Sequence, residues 1–214
     1  ETTSIEVEID NLTINTVLTS ALLNEAEGTD MADVETIDGQ AHGGSAILAE
    51  DSFSGPSLNV LRTMVKDWWD DVLKNTTNAD SMVHTFVAWV QKRESFLFDS
   101  YLKYHVHNLT KKALLQLAGE FGKLGATVIF ANRSKMILRT SKVSVENSYA
   151  YSQYIVKAVR SRPLFNYLDL RIDKYWDSLV WMNQYNFAGQ ACLEISDSEQ
   201  QELVTISKWQ IKEY

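Results

Sequence analysis

The chain holds one cysteine in 214 residues, Cys192. A single thiol can close no internal disulfide and cannot by itself hold zinc or an iron–sulfur cluster, which fits an intracellular chain. Long apolar runs are missing too: none approaches the roughly 20 residues that cross a bilayer. The opening Glu1-Thr2-Thr3-Ser4 has none of the marks of a signal peptide, so a soluble chain with no membrane contact is expected. Positive charge is short, with 20 Lys and Arg against 28 Asp and Glu and a formal net charge of −8. Such a balance argues against a dedicated nucleic-acid module, because phosphate contacts need concentrated cations, although local basic patches remain open. Histidine is sparse as well. His105 and His107 lie two apart, His84 and His42 stand elsewhere, and no carboxylate–histidine spacing typical of a metal site accompanies them. They are expected as ordinary helix-end residues.

What is present is enough apolar material for a real core, 45% of residues, in one large domain or one domain with an insertion. The chain begins without methionine and ends within a mixed polar segment, so it is expected to be a piece of a longer polypeptide.

Thr3 to Asp10 sets Ile5, Val7 and Ile9 against Glu6, Glu8 and Asp10, the alternation of a half-buried strand. The run from Leu12 to Leu23 reads as a helix. From Glu27 to Ser57 the composition turns to Gly, Asp, Ser, Ala and Thr and ends at Gly55-Pro56, which reads as an acidic flexible linker. Ser57 is the expected N-cap of a helix to about Lys74, with Leu58, Leu61, Val65, Trp68, Trp69 and Val72 at helical spacing. Asp67, Asp70 and Asp71 on it read as a solvated face. A second helix is expected over Ala79 to Gln91, then an aromatic segment over Phe96 to Tyr104. A third helix is expected over His107 to Leu124, ended by Gly125. Thr127 to Ala131 and Met136 to Thr140 form a hairpin. Ser144 opens a helix to Arg160, and Pro163 marks its exit. Leu164 to Ile172 reads as a strand, and Asp173 to Met182 as a helix or turn; the tail is unspecified. The order is β-α-β-β-α-β, the ferredoxin-like arrangement.

The hairpin Ala126-Thr-Val-Ile-Phe-Ala-Asn-Arg-Ser-Lys-Met-Ile-Leu-Arg-Thr140 carries no acid. From Phe121 through Val145 there is no Asp or Glu, while Lys123, Arg133, Lys135, Arg139 and Lys142 are all cationic. A hard divalent cation bound for two-metal phosphoryl transfer needs carboxylate oxygens, and this stretch offers none.

Here the residues resemble B-family DNA polymerases, whose Val-Ile-Tyr-Gly-Asp-Thr-Asp-Ser hairpin holds metal-binding aspartates. Val128, Ile129 and Phe130 fit the entering strand, and Asn132 and Ser134 stand where the aspartates would. Glu8-Ile-Asp-Asn-Leu-Thr-Ile-Asn-Thr-Val-Leu18 is similar to the family's Asp-x-x-Ser-Leu-Tyr-Pro-Ser segment, with Glu8 at the aspartate and Thr13 at the tyrosine. Tyr175-Trp-Asp-Ser-Leu-Val-Trp-Met-Asn-Gln-Tyr-Asn-Phe-Ala-Gly189 resembles the run ending Lys-Lys-Arg-Tyr-Ala-Gly, with Gln184, Tyr185 and Asn186 replacing its three cations. The first two also have plainer readings, an ordinary helix-hairpin unit and an edge strand with acidic outward residues.

Three frames kept in order, each without its reactive side chains, resemble the non-catalytic C-terminal half found in DNA polymerase epsilon catalytic subunits. The resemblance implies a degenerate, non-catalytic palm with a helical, fingers-like insertion in a nuclear replication protein. It places the palm at 1–26 and 107–189, the linker at 27–57, the insertion at 58–106 and a tail at 190–214. It further implies docking of the replicative helicase complex and of the polymerase epsilon B subunit. Histone-fold accessory subunits and the catalytic half of the same polypeptide are further partners it suggests. It implies no cofactor in this segment, with a zinc or iron–sulfur module elsewhere, and weak DNA contact or none. Two competing readings rest on residues alone. One is a metal-dependent nuclease or nucleotidyltransferase using Glu8 with Asp169 or Asp173; the other is a nucleic-acid binder using Arg133, Lys135, Arg139 and Lys142 with Tyr149, Tyr151 and Tyr154 as stacking platforms.

Overall fold

A computed structural model describes residues 2–23, 44–74, 78–95, 98–192 and 207–212. The chain divides into a sheet unit, formed by Glu1–Leu12 with Leu114–Tyr214, and a helical unit over Thr13–Ala113.

The helical unit is built from α1 (Leu12–Leu18), α2 (Gly44–Leu73), α3 (Ala79–Gln91) and the first half of α4 (Ser100–Lys123). Its core interleaves Ile14 and Val17 of α1, Leu58, Leu61 and Val65 of α2, Val83, Phe86 and Val90 of α3, and Leu102, Val106 and Leu109 of α4. Trp68 meets Phe86 and Trp89 edge-on, with ring centroids 6.1 Å apart in each pair. Asp67 and Asp70 lie exposed on the opposite side of α2.

Two expectations are corrected here. Residues 44–57, read as part of the linker, are helical, and Ser57 is an interior residue of α2 rather than its cap. Glycine, serine and Pro56 hid the helix-forming Ala46-Ile-Leu-Ala-Glu50 run behind breaker signals; residues 27–43 lie outside the described ones. The helix expected from His107 begins at Ser100, because Asp99 caps it: its Oδ1 accepts from the Tyr101 N–H at 2.7 Å and the Leu102 N–H at 3.0 Å. His105 and His107 are therefore helix-interior residues and not helix ends.

The sheet unit is one six-stranded antiparallel sheet in the order β2-β3-β1-β4-β5-β6. Its strands are β1 (Ser4–Asp10), β2 (Thr127–Ala131), β3 (Lys135–Arg139), β4 (Asp169–Trp181), β5 (Phe187–Cys192) and β6 (Ser207–Lys212). The helix α5 (Val145–Arg160) joins β3 to β4. The order β2-β3-β1-β4 is that of the ferredoxin-like β-α-β-β-α-β unit, and the fold class is α+β.

Local chemistry fixes the joints. Helix α4 ends in a double backbone bond, Ala126 N–H to Phe121 at 3.1 Å and Gly125 N–H to Gly122 at 3.0 Å. The pattern places Gly125 at φ +91, where a side chain would be strained. Ser144 caps α5 by accepting from the Asn147 N–H at 3.3 Å.

The segment expected as a helix or turn over Asp173 to Met182 is instead the second half of β4, and the expected strand at Leu164 starts with a 3₁₀ turn, Pro163–Phe165. Two bulges explain why the alternation failed. The register with β1 skips Asp173 and that with β5 skips Asp177, so the side-chain period of two breaks twice within five residues. Residues 190–192 and 207–212, assigned to the tail, are strand.

Candidate functional site

One face of the sheet carries Ile5, Val7 and Ile9 paired with Leu138, Met136 and Leu170, and α5 packs on it. The Ser152 and Tyr175 hydroxyls share a hydrogen bond there at 2.7 Å. The opposite face carries Glu6, Glu8 and Asp10 of β1, Lys135 and Ile137 of β3, and Arg171 of β4. This second face is where the expected site residues Glu8 and the β2–β3 turn meet. Glu8 pairs in register with Lys135, and the Ile9 N–H donates to the Ser134 carbonyl at 2.8 Å.

At the turn, Asn132 and Ser134 are occupied with each other and with the backbone. Asn132 Oδ1 accepts from the Ser134 N–H at 2.9 Å, the Ser134 hydroxyl at 3.1 Å and the Lys135 N–H at 2.7 Å. An amide oxygen that gathers three donors is a turn-builder. It offers no negative charge.

The carboxylates beside the turn are held by cations of the protein itself. Glu6 is buried, and Lys135 Nζ reaches its Oε1 at 2.6 Å. Arg171 stands among Glu8, Asp10 and Asp169, with Nη2 3.7 Å from Glu8 Oε2, Nε 3.8 Å from Asp169 Oδ2 and a close bond to Asp10. Arg160 reaches Asp169 from the other side at 3.7 Å. Glu8 and Asp169 thus converge, but on a guanidinium; Asp173 sits apart in its bulge, 3.5 Å from Lys174. Among the described residues no group of three His, Cys, Asp or Glu side chains is placed to hold a metal ion.

Beyond the acids the same face is closed by aromatic rings. Phe130 of β2 lies 5.2 Å from Trp181, Trp181 stacks on Phe187 at 5.1 Å, and Trp176 meets Phe187 edge-on at 5.9 Å. Gly189 is what lets Trp176 lie down: a Cβ at that position would fall 2.7 Å from the ring and 2.7 Å from the Ser178 carbonyl.

Gln184, Tyr185 and Asn186 sit in the exposed turn joining β4 to β5, where Asn183 Oδ1 accepts from the Tyr185 and Asn186 N–H groups at 2.9 Å each. Thr13 is the second residue of α1 and falls in the helical unit. The basic residues are dispersed. Arg133 is at the β2–β3 turn, Lys135 is bound to Glu6, Arg139 is the last residue of β3 and Lys142 lies beyond it. Strand rise alone puts about 13 Å between Lys135 and Arg139. Lys142 does meet a tyrosine, its Nζ 5.7 Å from the Tyr151 ring centre, while Tyr149 packs on Tyr175 at 6.0 Å. Burial raises the pKa of both Tyr151 and Tyr175, with Tyr154 adding to the first and the Ser152 bond opposing the second. Sequence reasoning missed Arg171 and the aromatic closure. The single legible signal was charge complementarity, one arginine against an excess of acids in β1 and β4.

These features define an α+β domain with a ferredoxin-like antiparallel sheet extended by two strands, its open face filled by ion pairs and aromatic rings. Residues 1–190 match the family described as Domain of unknown function (DUF1744), and the chain belongs to that family. It is 62% identical over 214 residues, all of this chain, to the DNA polymerase epsilon catalytic subunit of Debaryomyces hansenii, of which it covers 10%. It is 50% identical over 214 residues, 98% of this chain and 10% of the relative, to the protein of the same name in Saccharomyces cerevisiae, and 32% identical over 216 residues to that of Schizosaccharomyces pombe, with the same coverages. The chain therefore spans about a tenth of the length of these relatives. No described helix is long and apolar enough to cross a membrane.

Proposed function

We propose that this domain is a degenerate B-family polymerase palm that has lost its chemistry and works as a non-catalytic scaffold in the nuclear leading-strand polymerase. Its working partners are the replicative helicase complex and the polymerase epsilon B subunit. Histone-fold accessory subunits and the catalytic half of the same polypeptide are further candidates. It takes no cofactor of its own, any zinc or iron–sulfur module belonging elsewhere in the polypeptide, and its DNA contact is weak or absent.

One observation carries the reading. The β2–β3 turn and the carboxylates of β1 stand side by side on one face, as a two-cation site requires, yet Asn132 and Ser134 supply no charge and Arg171 occupies the acids. Cations bound for phosphoryl transfer are themselves the charge that stabilises the transition state. A guanidinium in salt bridges does not hold a phosphate and two oxygens in line. The relatives' shared name supports a place in DNA replication, and Lys135 bound to Glu6 supports weak DNA affinity.

The test has two arms. The 214-residue chain, given primed template, nucleotides and Mg²⁺, is expected to extend nothing. The full polypeptide carrying Asn132→Ala and Ser134→Ala is expected to keep primer extension within about twofold, well under the 1.4 kcal/mol that a tenfold loss represents. Extension by the chain, or a tenfold loss in the variant's chemical step, overturns the non-catalytic reading. Replacement of the domain should abolish capture of the B subunit or the helicase while extension survives; capture left intact overturns the scaffold.

A further inference from the structure

The strand order β2-β3-β1-β4-β5-β6 leaves the sheet two edges, β2 and β6. An edge presents unpaired main-chain N–H and C=O groups to any chain that meets it, so proteins guard it. Strand β6, Ser207-Lys-Trp-Gln-Ile-Lys212, is guarded by two lysines of its own. Strand β2 is not: Thr127-Val-Ile-Phe-Ala131 has no charge and no proline, and only Thr127 is exposed, the rest being half-buried. Among the described strands it pairs with β3 alone. Outside that ladder no main-chain group of Thr127–Ala131 bonds to a described residue.

The charge around this edge says what it suits. The whole chain carries −8, yet from Phe121 through Val145 it has five cations and no acid. Lys123 shares Glu120 with Arg162, and Lys135 is bound to Glu6. Arg139 and Lys142 form no ion pair with a described residue. Arg139 is exposed and stands in register with Thr127, where β2 begins, and Arg133 adds its charge at the turn where β2 ends. A chain laid along β2 therefore meets a cation at each end, which favours acidic residues on either side of an apolar run.

Two other occupants suit the edge less. A second copy would set the same cations against themselves, and the bulge at Ile129 adds a twist that a flexible strand follows and a preformed edge does not. Nucleic acid brings phosphates for the cations, but a phosphodiester backbone offers acceptors alone. A strand edge presents donors and acceptors in turn, and another polypeptide is what pairs both.

We infer that the free edge of β2 is a docking site for an extended acidic peptide segment of a partner protein, which joins the sheet as an added strand. Its main chain bonds the outward groups of Thr127–Ala131, and its flanking Asp and Glu residues face Arg139 and Arg133. The site stands whether or not the sheet descends from a polymerase.

The probe is a fluorescein-labelled peptide, Asp-Glu-Asp-Val-Thr-Ile-Val-Glu-Asp-Glu, titrated with the full-length polypeptide and followed by polarisation. Binding is expected, and it should slow amide exchange over residues 127–131 at least about tenfold, read by mass spectrometry, since a paired edge exchanges only on opening. Arg139→Glu should weaken binding at least about fivefold. N-methylation of alternate peptide amides keeps the charge, removes ladder donors and should weaken binding at least about tenfold. No binding at low salt, unchanged exchange over 127–131, or equal affinity in either of these comparisons overturns the inference. Stronger protection of 127–131 by a single-stranded oligothymidylate than by the peptide also overturns it, because the edge is then a nucleic-acid contact. So does exchange that is slow without peptide and quickens on dilution, because a second copy then holds the edge.

Discussion

Phe130 on β2 and Trp181 at the end of β4 meet ring to ring, 5.2 Å between centroids, although β3 and β1 lie between their strands. Three strand spacings in a flat sheet come to about 14 Å. The contact therefore requires the sheet to curl, and the register breaks at Asp173 and Asp177 in β4 and beside Phe130 in β2 are where bulges add bend and twist. The rings cover one part of the face, while Glu8, Asp10 and Arg171 stay about half exposed on another.

Phe130→Ala and Trp181→Ala should each destabilise the domain by about 1 to 3 kcal/mol, less than a fully buried aromatic because both rings are only partly covered. The pair should couple by about 0.5 to 1.5 kcal/mol in a double-mutant cycle read from urea unfolding. Strict additivity would mean that the rings do not touch and that the face is open.

Asn132 serves the turn through an oxygen and not through a charge. Asn132→Ala removes the acceptor of three hydrogen bonds and should cost about 1 to 2 kcal/mol. Asn132→Asp keeps an acceptor in place and should cost less than about 0.5 kcal/mol. Equal losses in the two variants, measured by thermal melts at neutral pH, would show that the amide nitrogen matters more than the turn.

Tyr175 ties stability to alkaline pH. Burial raises its pKa above the ordinary value near 10, against a smaller opposing effect from Ser152, so the folded state holds the proton more tightly than the unfolded state does. That contribution is complete below about pH 10 and is lost as pH rises through the folded value. Tyr175→Phe should therefore lose less stability than the parent between about pH 8 and about pH 10.5, followed as the urea midpoint. Tyr151, also raised by burial, keeps part of the slope in the variant. A steeper slope in Tyr175→Phe than in the parent would reverse the assignment.

Much of this fold was legible where one residue carries one local signal. Ser144 as cap, Gly125 as the end of α4, the β2–β3 hairpin and the bounds of α3 all follow from short-range chemistry. The Asp99 cap was equally local, but the aromatic residues after it masked it. Strand β4 was misread because two unpaired aspartates break its alternation, and bulges are fixed by partner strands that sequence spacing does not reveal. At the site, the uncharged side chains at 132 and 134 could be read directly. Arg171 could not, since nothing in its neighbourhood ties it to residues 8 and 10; only the pairing of β1 with β4 does.

Arg171 also sets what the acid end of the sheet can accept. Its guanidinium is shared among Glu8, Asp10 and Asp169, and without it those three carboxylates would repel one another. A loose cation arriving there would have to displace a charge that β4 already carries, so this corner of the sheet is a clasp between neighbouring strands.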